Sequence, residues 1–316
     1  MTSSNDYERD ILRLVNLALE EDLGVLGSGG DRTTRSFISG NQKGSALFVS
    51  RTKGILAGLY PTECAYKMVG RSLELYEETT APPEKLFSLC RLETPSFSAY
   101  LQDGNQLHPG TQIARVEGPV AAILAAERTA LNFLQHLSGI ATLTWQYVKA
   151  IEGLPCKILD TRKTLPGWRL LEKYAVRCGG GFNHRLGLYD GVLIKDNHLA
   201  ALGGGADAIR QSIQLAREKN GPEIPIEIEV ENLNLLDVAF ASRPDIVLLD
   251  NMSPGQLKEA VRRRNEKAPP IQLEASGGIM LENVRAVAET GVDRISVGAL
   301  THSAPALDIA LDYETV

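Results

Sequence analysis

The sequence predicts an α/β protein whose second half folds as a parallel α/β barrel or as an open doubly wound sheet. Six short apolar runs follow one another after residue 155, and their polar ends are 21 to 35 residues apart. That spacing accommodates a strand, a helix and two loops. Strands that alternate with helices form a parallel sheet. Only six strands are evident, so a barrel here would be smaller than one of eight strands.

The first half of the sequence has a different pattern. Residues 6–22 carry apolar side chains at helical spacing and predict an amphipathic helix, which ends at the glycine-rich residues 24–31. Residues 46–120 contain short apolar runs between turn residues, and we interpret them as antiparallel strands with one or two helices. Residues 121–151 lack proline and keep a helical period, so they predict one or two long helices that link two domains.

Composition excludes several classes of protein. The 316 residues include 33 basic and 39 acidic side chains, and this balance argues against a whole-chain surface for nucleic acid. The four cysteines are far apart, which argues against a disulfide framework or a zinc ribbon and favours a reducing cytosol. We see no signal-peptide pattern and no apolar run long enough for a membrane helix, so we expect a cytoplasmic protein without a membrane partner. The cysteines are Cys64, Cys90, Cys156 and Cys178.

Polar and glycine residues mark the carboxyl ends of the six predicted strands, which is where α/β folds place their active sites. Within the run IEIEV and the residue that follows it, three acids alternate with apolar residues, so the acids share one face and are expected to point into the barrel. These acids are Glu227, Glu229 and Glu231. For Glu227 taken alone, an internal ion pair with a nearby Arg or Lys is the competing interpretation. The six strand ends are Asp160, Lys195, Glu229, Asp250, Ser276 and Gly298.

Residues 157–198 carry eight basic and four acidic side chains, although the whole chain is acidic. We interpret Lys173 and Arg177 as part of a solvated helix face. The remaining candidates lie next to strand ends and turns, and convergent Arg and Lys indicate a ligand with several phosphates or carboxylates. These candidates are Arg162, Lys163, Arg185 and Lys195.

Two glycine turns follow the last two strands, at Ser276–Gly278 and at Gly298, and backbone N–H groups in such turns bind phosphate. Glu229 and Asp250 could hold Mg²⁺, which is usually bound by one or two carboxylates together with substrate phosphates. The histidines show no zinc-binding spacing, and His184 is a candidate for substrate contact instead. The sequence contains neither a serine-hydrolase elbow nor a phosphate-binding P-loop motif.

The segment DTRKTLPGWRLLEKYAVRCGGGFNHRLGLYDGVLIKDNH, residues 160–198, resembles the signature of the quinolinate phosphoribosyltransferase family. Other motifs of that family occur in order along nearly the whole chain: ALEEDLG, GDRTT, ERTALNFLQHLSGIAT, EVEN, LLDNM, LEASGGI and VGALTHSAPALDIALD. The longer stretch VLGSGG before DRTT departs from the family and is expected to form a surface loop.

The resemblance implies an N-terminal α/β sandwich at residues 1–135, joined by residues 305–316, and an incomplete barrel of six to seven strands at residues 136–304. This architecture is typical of type II phosphoribosyltransferases. The implied reaction joins quinolinate to phosphoribosyl pyrophosphate and gives nicotinate mononucleotide, pyrophosphate and CO₂ in de novo NAD synthesis, with Mg²⁺. The resemblance also implies a homodimer in which each sandwich caps the partner's barrel, and it leaves open whether dimers form a hexamer.

Residue roles follow from the same motifs. The resemblance implies that Lys163, Glu229 and Asp250 are catalytic, with Lys163 between the two substrates and the two acids at the ribose hydroxyls and Mg²⁺-pyrophosphate. It places Thr164 among the substrate-binding residues. The implied quinolinate pocket comprises Arg128 from the partner subunit, Arg162, His184, Arg185 and Lys195. The implied 5′-phosphate site comprises Ser276, Gly277, Gly278 and Gly298.

Two other functions are compatible with the same residues. A nicotinate phosphoribosyltransferase would share the barrel but would take a monocarboxylate and would not decarboxylate it. A catalytically silent paralogue would keep the pocket as a binding site. The number of Arg and Lys residues favours a dicarboxylate, and the presence of both acids and both glycine turns favours turnover.

Overall fold

The computed structural model describes residues 4–24, 30–39, 42–80 and 94–314. The chain divides into two compact units, of which the first comprises Met1–Thr142, Leu170–Cys178 and Ala304–Val316. The second comprises Leu143–Arg169 and Gly179–Ser303. Cys90 and most of the loop expected at 25–30 lie outside the described residues.

The described residues form helices and strands in an order that agrees with the predicted change of pattern near residue 155. In chain order the elements are α1 Ser4–Leu23, α2 Arg32–Phe37, β1 Lys43–Ser50, β2 Gly54–Ile55, α3 Leu59–Thr80, β3 Ser96–Ala99, β4 Gln106–Leu107, β5 Gln112–Pro119, α4 Val120–Ala150, β6 Lys157–Leu159, α5 Arg169–Cys178, β7 Val192–Ile194, α6 Asp196–Ala201, α7 Gly205–Asn220, β8 Ile226–Val230, α8 Leu233–Ala241, β9 Ile246–Asp250, α9 Pro254–Lys267, β10 Gln272–Ser276, α10 Val284–Ala288, β11 Arg294–Ser296, α11 Ala299–His302 and β12 Ile309–Glu314.

The first unit is built on an antiparallel sheet with the strand order β12-β1-β5-β3. Helix α1 packs against α3 and buries Ile11, Val15 and Leu19, which recur every fourth residue and therefore share one helix face. Phe48 of β1 packs edge-on against Phe97 of β3, with ring centroids 5.9 Å apart. The predicted antiparallel strands and the N-terminal amphipathic helix are confirmed.

Residues 120–150 form one continuous helix, α4, rather than two. Its residues through Thr142 belong to the first unit, and those from Leu143 belong to the second. No helix among the described residues combines the length and the apolar composition needed to cross a membrane.

Helix α5 corrects one expectation. Arg177 is exposed as predicted, but Lys173 is buried, so the interpretation of Lys173 as a solvated side chain is wrong. The reason is that α5 is buried over most of its circumference, including the charged residue Glu172. The carboxylate of Glu172 contacts His136, whose Nε2 lies 3.0 Å from Oε1.

The second unit contains six parallel strands in the order β6-β11-β10-β9-β8-β7. The first of these strands in the chain pairs with the last, so the sheet curls into a barrel and is not an open doubly wound sheet. A parallel bridge between Leu159 and Phe182 extends the barrel beyond β6 with part of a seventh strand. The predicted fold class, an incomplete α/β barrel, is confirmed, and each strand ends within two residues of the predicted position.

Local signals in the sequence fix where the outer helices begin. The side chain of Asn232 accepts the backbone N–H groups of Asn234 and Leu235 at the start of α8. Ser253 and Gln256 form a reciprocal capping box at the start of α9, where Pro254 takes the first helical position. These caps define the short loops that follow β8 and β9, and those loops carry the residues described next.

Candidate active site

A cavity of about 780 Å³ lies in the second unit, at the carboxyl ends of the barrel strands. Because parallel strands point the same way, residues that are far apart in the sequence meet at this edge. The sequence candidates that line the cavity are Arg162, Lys163, His184, Arg185, Lys195, Glu229, Asp250, Ser276, Gly277, Gly278 and Gly298.

Five other candidates do not line this cavity, of which Asp160 and Glu227 are described below. The hydroxyl of Thr164 accepts a hydrogen bond from Nε of Arg169 at 3.0 Å. Arg128 is an exposed residue of α4 in the first unit. Glu231 was expected to share a face with Glu229, but it lies beyond the end of β8 and is exposed. The strand alternation stops at Val230, so it cannot orient Glu231.

The buried carboxylate of Asp160, just after β6, holds the loop that carries His184. Asp160 Oδ1 accepts the backbone N–H of His184 at 2.8 Å, and Oδ2 accepts the side-chain amide of Asn183 at 2.6 Å. The structural role of Asp160 is therefore to fix the start of this loop against the barrel.

The carboxylate of Asp190 closes the same loop by accepting the backbone N–H groups of Leu186 and Gly187 at 2.7 and 2.9 Å. The guanidinium of Arg185 donates from Nη1 to the carbonyl of Gly191 at 3.1 Å. Arg185 is thus held by backbone and not by a carboxylate, which leaves its positive charge available to a ligand.

Positive charge is concentrated in the cavity. Two Arg and two Lys side chains line it, against the two carboxylates of Glu229 and Asp250. Among the described residues, Nε of Arg162 is buried without a hydrogen-bond partner. Burial and the neighbouring charge of Arg162 lower the pKa of Arg185. Crowded and partly unpaired guanidinium groups are stabilised by a bound anion.

The two carboxylates of the cavity each have one oxygen engaged. Glu229 Oε2 lies 3.0 Å from Nζ of Lys195, and Asp250 Oδ2 accepts the side-chain amide of Asn251 at 2.8 Å. The other oxygen of each carboxylate has no hydrogen-bond partner among the described residues, so two carboxylate oxygens on adjacent strands can bind hydroxyls or a hard cation.

Below the cavity, His184 joins a buried cluster of charged residues. Nε2 of His184 lies 2.9 Å from Glu227 and 3.4 Å from Glu274, and Nε of Arg294 lies 2.8 Å from the other oxygen of Glu274. Glu227 therefore belongs to a buried charged cluster, but its direct contact is His184, whereas the Arg of this cluster, Arg294, contacts Glu274. Burial and the neighbouring Glu274 raise the pKa of Glu227. For Glu274, burial is outweighed by His184 and Arg294, which lower the pKa.

The hydrogen bonds of His184 decide which ring nitrogen carries a proton. Nδ1 accepts the backbone N–H of Arg185 at 2.8 Å, so the proton is on Nε2, between the two carboxylates. Burial of the ring opposes a second proton, but Glu227 and Glu274 outweigh it and raise the pKa to about 9. A second proton, on Nδ1, would displace the hydrogen bond that this nitrogen accepts from the backbone N–H of Arg185.

The same geometry argues against a metal ion held by His184, Glu227 and Glu274, although their ligand atoms lie within 4.8 Å of one another. A metal would need the Nε2 lone pair and would leave the proton on Nδ1, where it would face the N–H of Arg185. Arg294 also already compensates one of the two carboxylates.

The turn at Gly277 and Gly278 is left-handed at both residues, with φ of 89° and 63°. A glycine turn without side chains lets backbone N–H groups come close to a ligand, which suits an anion. Gly298 has a different role, because an added Cβ atom would lie 3.0 Å from Cδ of Lys163 and 3.1 Å from Nε2 of His302. The absence of a side chain at Gly298 lets Lys163 and His302 approach the cavity.

Sequence reasoning did not place several of the lining residues in the site. Asn251 directly follows Asp250 and so lies at a predicted strand end, but the sequence pattern assigned it no role. His302 lies one helical turn after Gly298. Its spacing from the other histidines does not match a metal site, so no sequence pattern singled it out. Thr161 and Met280 also line the cavity and gave no signal that distinguishes them from ordinary loop residues.

A larger cavity, of about 930 Å³, lies at the opposite ends of the strands. Two of its cations are compensated by the protein itself: Arg294 by Glu274 and Lys267 by Asp237. Barrel enzymes place their chemistry at the carboxyl ends of the strands. We therefore assign the active site to the smaller cavity.

A barrel whose carboxyl-end cavity combines cations, two carboxylates and glycine turns defines an enzyme for anionic small molecules. Residues 31–138 match the N-terminal domain and residues 140–312 match the C-terminal domain of the family described as quinolinate phosphoribosyl transferase. The chain belongs to the quinolinate phosphoribosyltransferase family, a family of pentosyltransferases.

Named relatives agree with this assignment. The chain is 43% identical to the nicotinate-nucleotide pyrophosphorylase [carboxylating] of Mycobacterium leprae, over 97% of each chain. It is 42% identical to the probable enzyme of the same name from Bacillus subtilis, over 95% of this chain and 92% of the relative. The solved nicotinate-nucleotide pyrophosphorylase of Francisella tularensis superposes with a TM-score of 0.82 at 36% identity, covering 97% of this chain and 96% of that structure.

Proposed function

We propose that this chain transfers the phosphoribosyl group of phosphoribosyl pyrophosphate to the ring nitrogen of quinolinate, in NAD biosynthesis. The products are nicotinate mononucleotide, pyrophosphate and CO₂. The observation that carries the proposal is one cavity with unpaired cations, two partly free carboxylates and a left-handed glycine turn. Its volume of about 780 Å³ suits small molecules.

The cationic part of the cavity is the proposed quinolinate site. Arg162, Arg185 and Lys195 would pair with the two carboxylates of the substrate, for which the planar guanidinium is well suited. His184, whose backbone N–H is held by Asp160 and whose ring contacts Glu227, would form the base of this site. Lys163 would lie between the two substrates, where Gly298 leaves it room.

The acidic part is the proposed phosphoribosyl pyrophosphate site. Glu229 and Asp250 would bind the ribose hydroxyls and hold Mg²⁺ together with pyrophosphate, and their free oxygens fit a cation that prefers oxygen ligands. Mg²⁺, when bound, neutralises charge that develops on the departing pyrophosphate. Ser276, Gly277 and Gly278, with Gly298, would hold the 5′-phosphate through backbone N–H groups.

The reaction follows from these placements. The ring nitrogen forms a bond to the anomeric carbon while the bond to pyrophosphate breaks and its electrons leave with pyrophosphate. Positive charge grows at the ribose, where the two fixed carboxylates stabilise it. The resulting pyridinium then accepts the electrons of the adjacent C–CO₂⁻ bond, CO₂ departs, and the ring carbon takes a proton from water. The transfer itself needs no general base.

One assay tests the function. The purified protein is incubated with Mg²⁺, phosphoribosyl pyrophosphate and either quinolinate or nicotinate, and CO₂ and mononucleotide are measured. We expect both products with quinolinate and none with nicotinate. Product from nicotinate would favour the monocarboxylate enzyme, and binding of quinolinate without any product would favour a silent paralogue.

The assembly is also part of the proposal. From the family resemblance, we propose a homodimer in which Arg128 of the partner subunit completes each quinolinate site, and dimers could assemble further into a hexamer. The exposure of Arg128 on α4 is compatible with this role. A cytoplasmic location also remains a proposal. It is compatible with the free thiols of Cys64, Cys156 and Cys178 among the described residues.

Mixed dimers give a direct test of the shared site. Arg128→Ala and Lys195→Ala subunits are each expected to be nearly inactive, because each lacks a cation that binds quinolinate. After subunit exchange, half of the dimers are hybrids with one intact site, so activity should return to about a quarter of the wild-type value. Each variant taken alone through the same exchange serves as the control. Mixtures that exchange subunits, as shown by mass or fluorescence labelling, but stay inactive would contradict the shared site.

A further inference from the structure

The backbone of Asn251 has an unusual conformation at the edge of the cavity. Its φ angle is 52°, and among the described residues only Arg243, at 55°, is another non-glycine residue with positive φ. This conformation costs free energy for residues other than glycine, although asparagine tolerates it better than most. Strain of this kind persists where the surrounding structure enforces it, which often occurs at functional sites.

The side chain of Asn251 turns back on its neighbour Asp250. Nδ2 donates to Oδ2 of Asp250 at 2.8 Å, and this orientation of the amide follows from chemistry, because an ionised carboxylate only accepts hydrogen bonds. The bond engages one carboxylate oxygen and limits rotation of the group. The other oxygen is left for a ligand.

Asn251 also connects Asp250 to the glycine turn on the next strand. Its backbone N–H donates to the carbonyl of Ser276 at 2.9 Å. An added Cβ atom on Gly277 would overlap Oδ1 of Asn251, so the amide occupies the space that a side chain at 277 would need. Asn251 therefore adds a contact between the ends of β9 and β10, which already pair as neighbouring strands up to Asp250 and Ser276.

We propose that Asn251 is a positioning residue that holds the Asp250 carboxylate toward the cavity and fixes its distance from the Ser276–Gly278 turn. This inference rests on the proposed function, in which both groups bind phosphoribosyl pyrophosphate. Asn251 should therefore affect that substrate and not quinolinate. The residue must combine a left-handed backbone with a side-chain N–H donor. Glycine adopts the left-handed backbone but has no side-chain donor. Aspartate would replace the donor by a second carboxylate beside Asp250.

Two variants separate these requirements. Asn251→Gly keeps the backbone conformation and removes the amide. We expect its KM for phosphoribosyl pyrophosphate to rise about tenfold, the effect of one lost hydrogen bond to a charged group (~1.4 kcal/mol), and its KM for quinolinate to stay within about twofold. Asn251→Asp should raise the same KM further, because two carboxylates then repel each other. The matched control is Arg243→Gly. This substitution removes the backbone strain at the other left-handed non-glycine residue, which lies outside this cavity, and it should keep wild-type kinetics.

Equilibrium binding provides a readout that does not need turnover. The Kd of phosphoribosyl pyrophosphate, measured by calorimetry with Mg²⁺, should rise about tenfold in Asn251→Gly, while the unfolding temperature stays near that of wild type. An unchanged Kd, or equal increases in both KM values with a lower unfolding temperature, would overturn the inference. Failure of the wild-type protein to convert quinolinate would instead overturn the proposed function, and the binding comparison would still decide the role of Asn251.

Discussion

The Asp250→Asn variant is expected to lose between about 100-fold and 1,000-fold in kcat, the range measured when a preorganised electrostatic contact to a transition state is removed. The substitution keeps the shape of the side chain and an oxygen that can accept the amide of Asn251. It removes the negative charge that we assign to the ribose and to Mg²⁺-pyrophosphate. Steady-state kinetics with each substrate varied in turn would measure the effect.

The chain offers a matched control in Glu231→Gln. Glu231 also follows a barrel strand, but it is exposed and lies outside the cavity. Removing its charge should leave kcat within about twofold of wild type, as expected for a solvated surface group. Equal losses in both variants would mean that the net charge around the barrel mouth matters and that Asp250 has no special position. Wild-type kcat in Asp250→Asn would contradict its catalytic role.

Asp250 could be located from the sequence because the carboxyl ends of buried parallel strands follow a simple sequence pattern. Each buried strand reads as an apolar run, and its carboxyl end is the last residue of that run. All six ends were located in this way, and the sheet order then brings them to one edge. The alternation of side chains does not predict their direction beyond the end of a strand. Glu231 was therefore expected to point into the barrel and is found exposed.

Other features depend on contacts between residues far apart in the sequence. The pairing of His184 with Glu274, which are 90 positions apart, requires the folded barrel and has no local signal. The burial of Lys173 was missed because α5 is enclosed on several sides, whereas helical periodicity predicts only one buried face. The left-handed conformation of Asn251 was missed because asparagine is common in loops of every kind, and the sequence does not show which loops turn back on a carboxylate.

The second large effect concerns quinolinate. Arg162→Ala is expected to raise the KM for quinolinate by about 100-fold, since truncating one partner of a buried charge pair costs roughly 2–5 kcal/mol. The KM for phosphoribosyl pyrophosphate should change little, because Asp250 and the glycine turn are untouched. Arg162→Lys keeps the charge and loses the planar fork, so it should recover only part of the affinity. Both values come from the same steady-state measurements.

Stability separates this role from a structural one. Nε of Arg162 is buried without a hydrogen-bond partner, and the charge of Arg162 disfavours that of Arg185. Arg162 therefore destabilises the ligand-free protein. Its removal should leave the free energy of unfolding unchanged or slightly higher. Arg210→Ala is the control, because this exposed side chain of α7 pairs with Asp207 three residues earlier, lies outside the cavity and should affect neither KM. A large loss of stability in Arg162→Ala would show that the residue supports the fold, and the observed change in KM would then not identify a carboxylate-binding group.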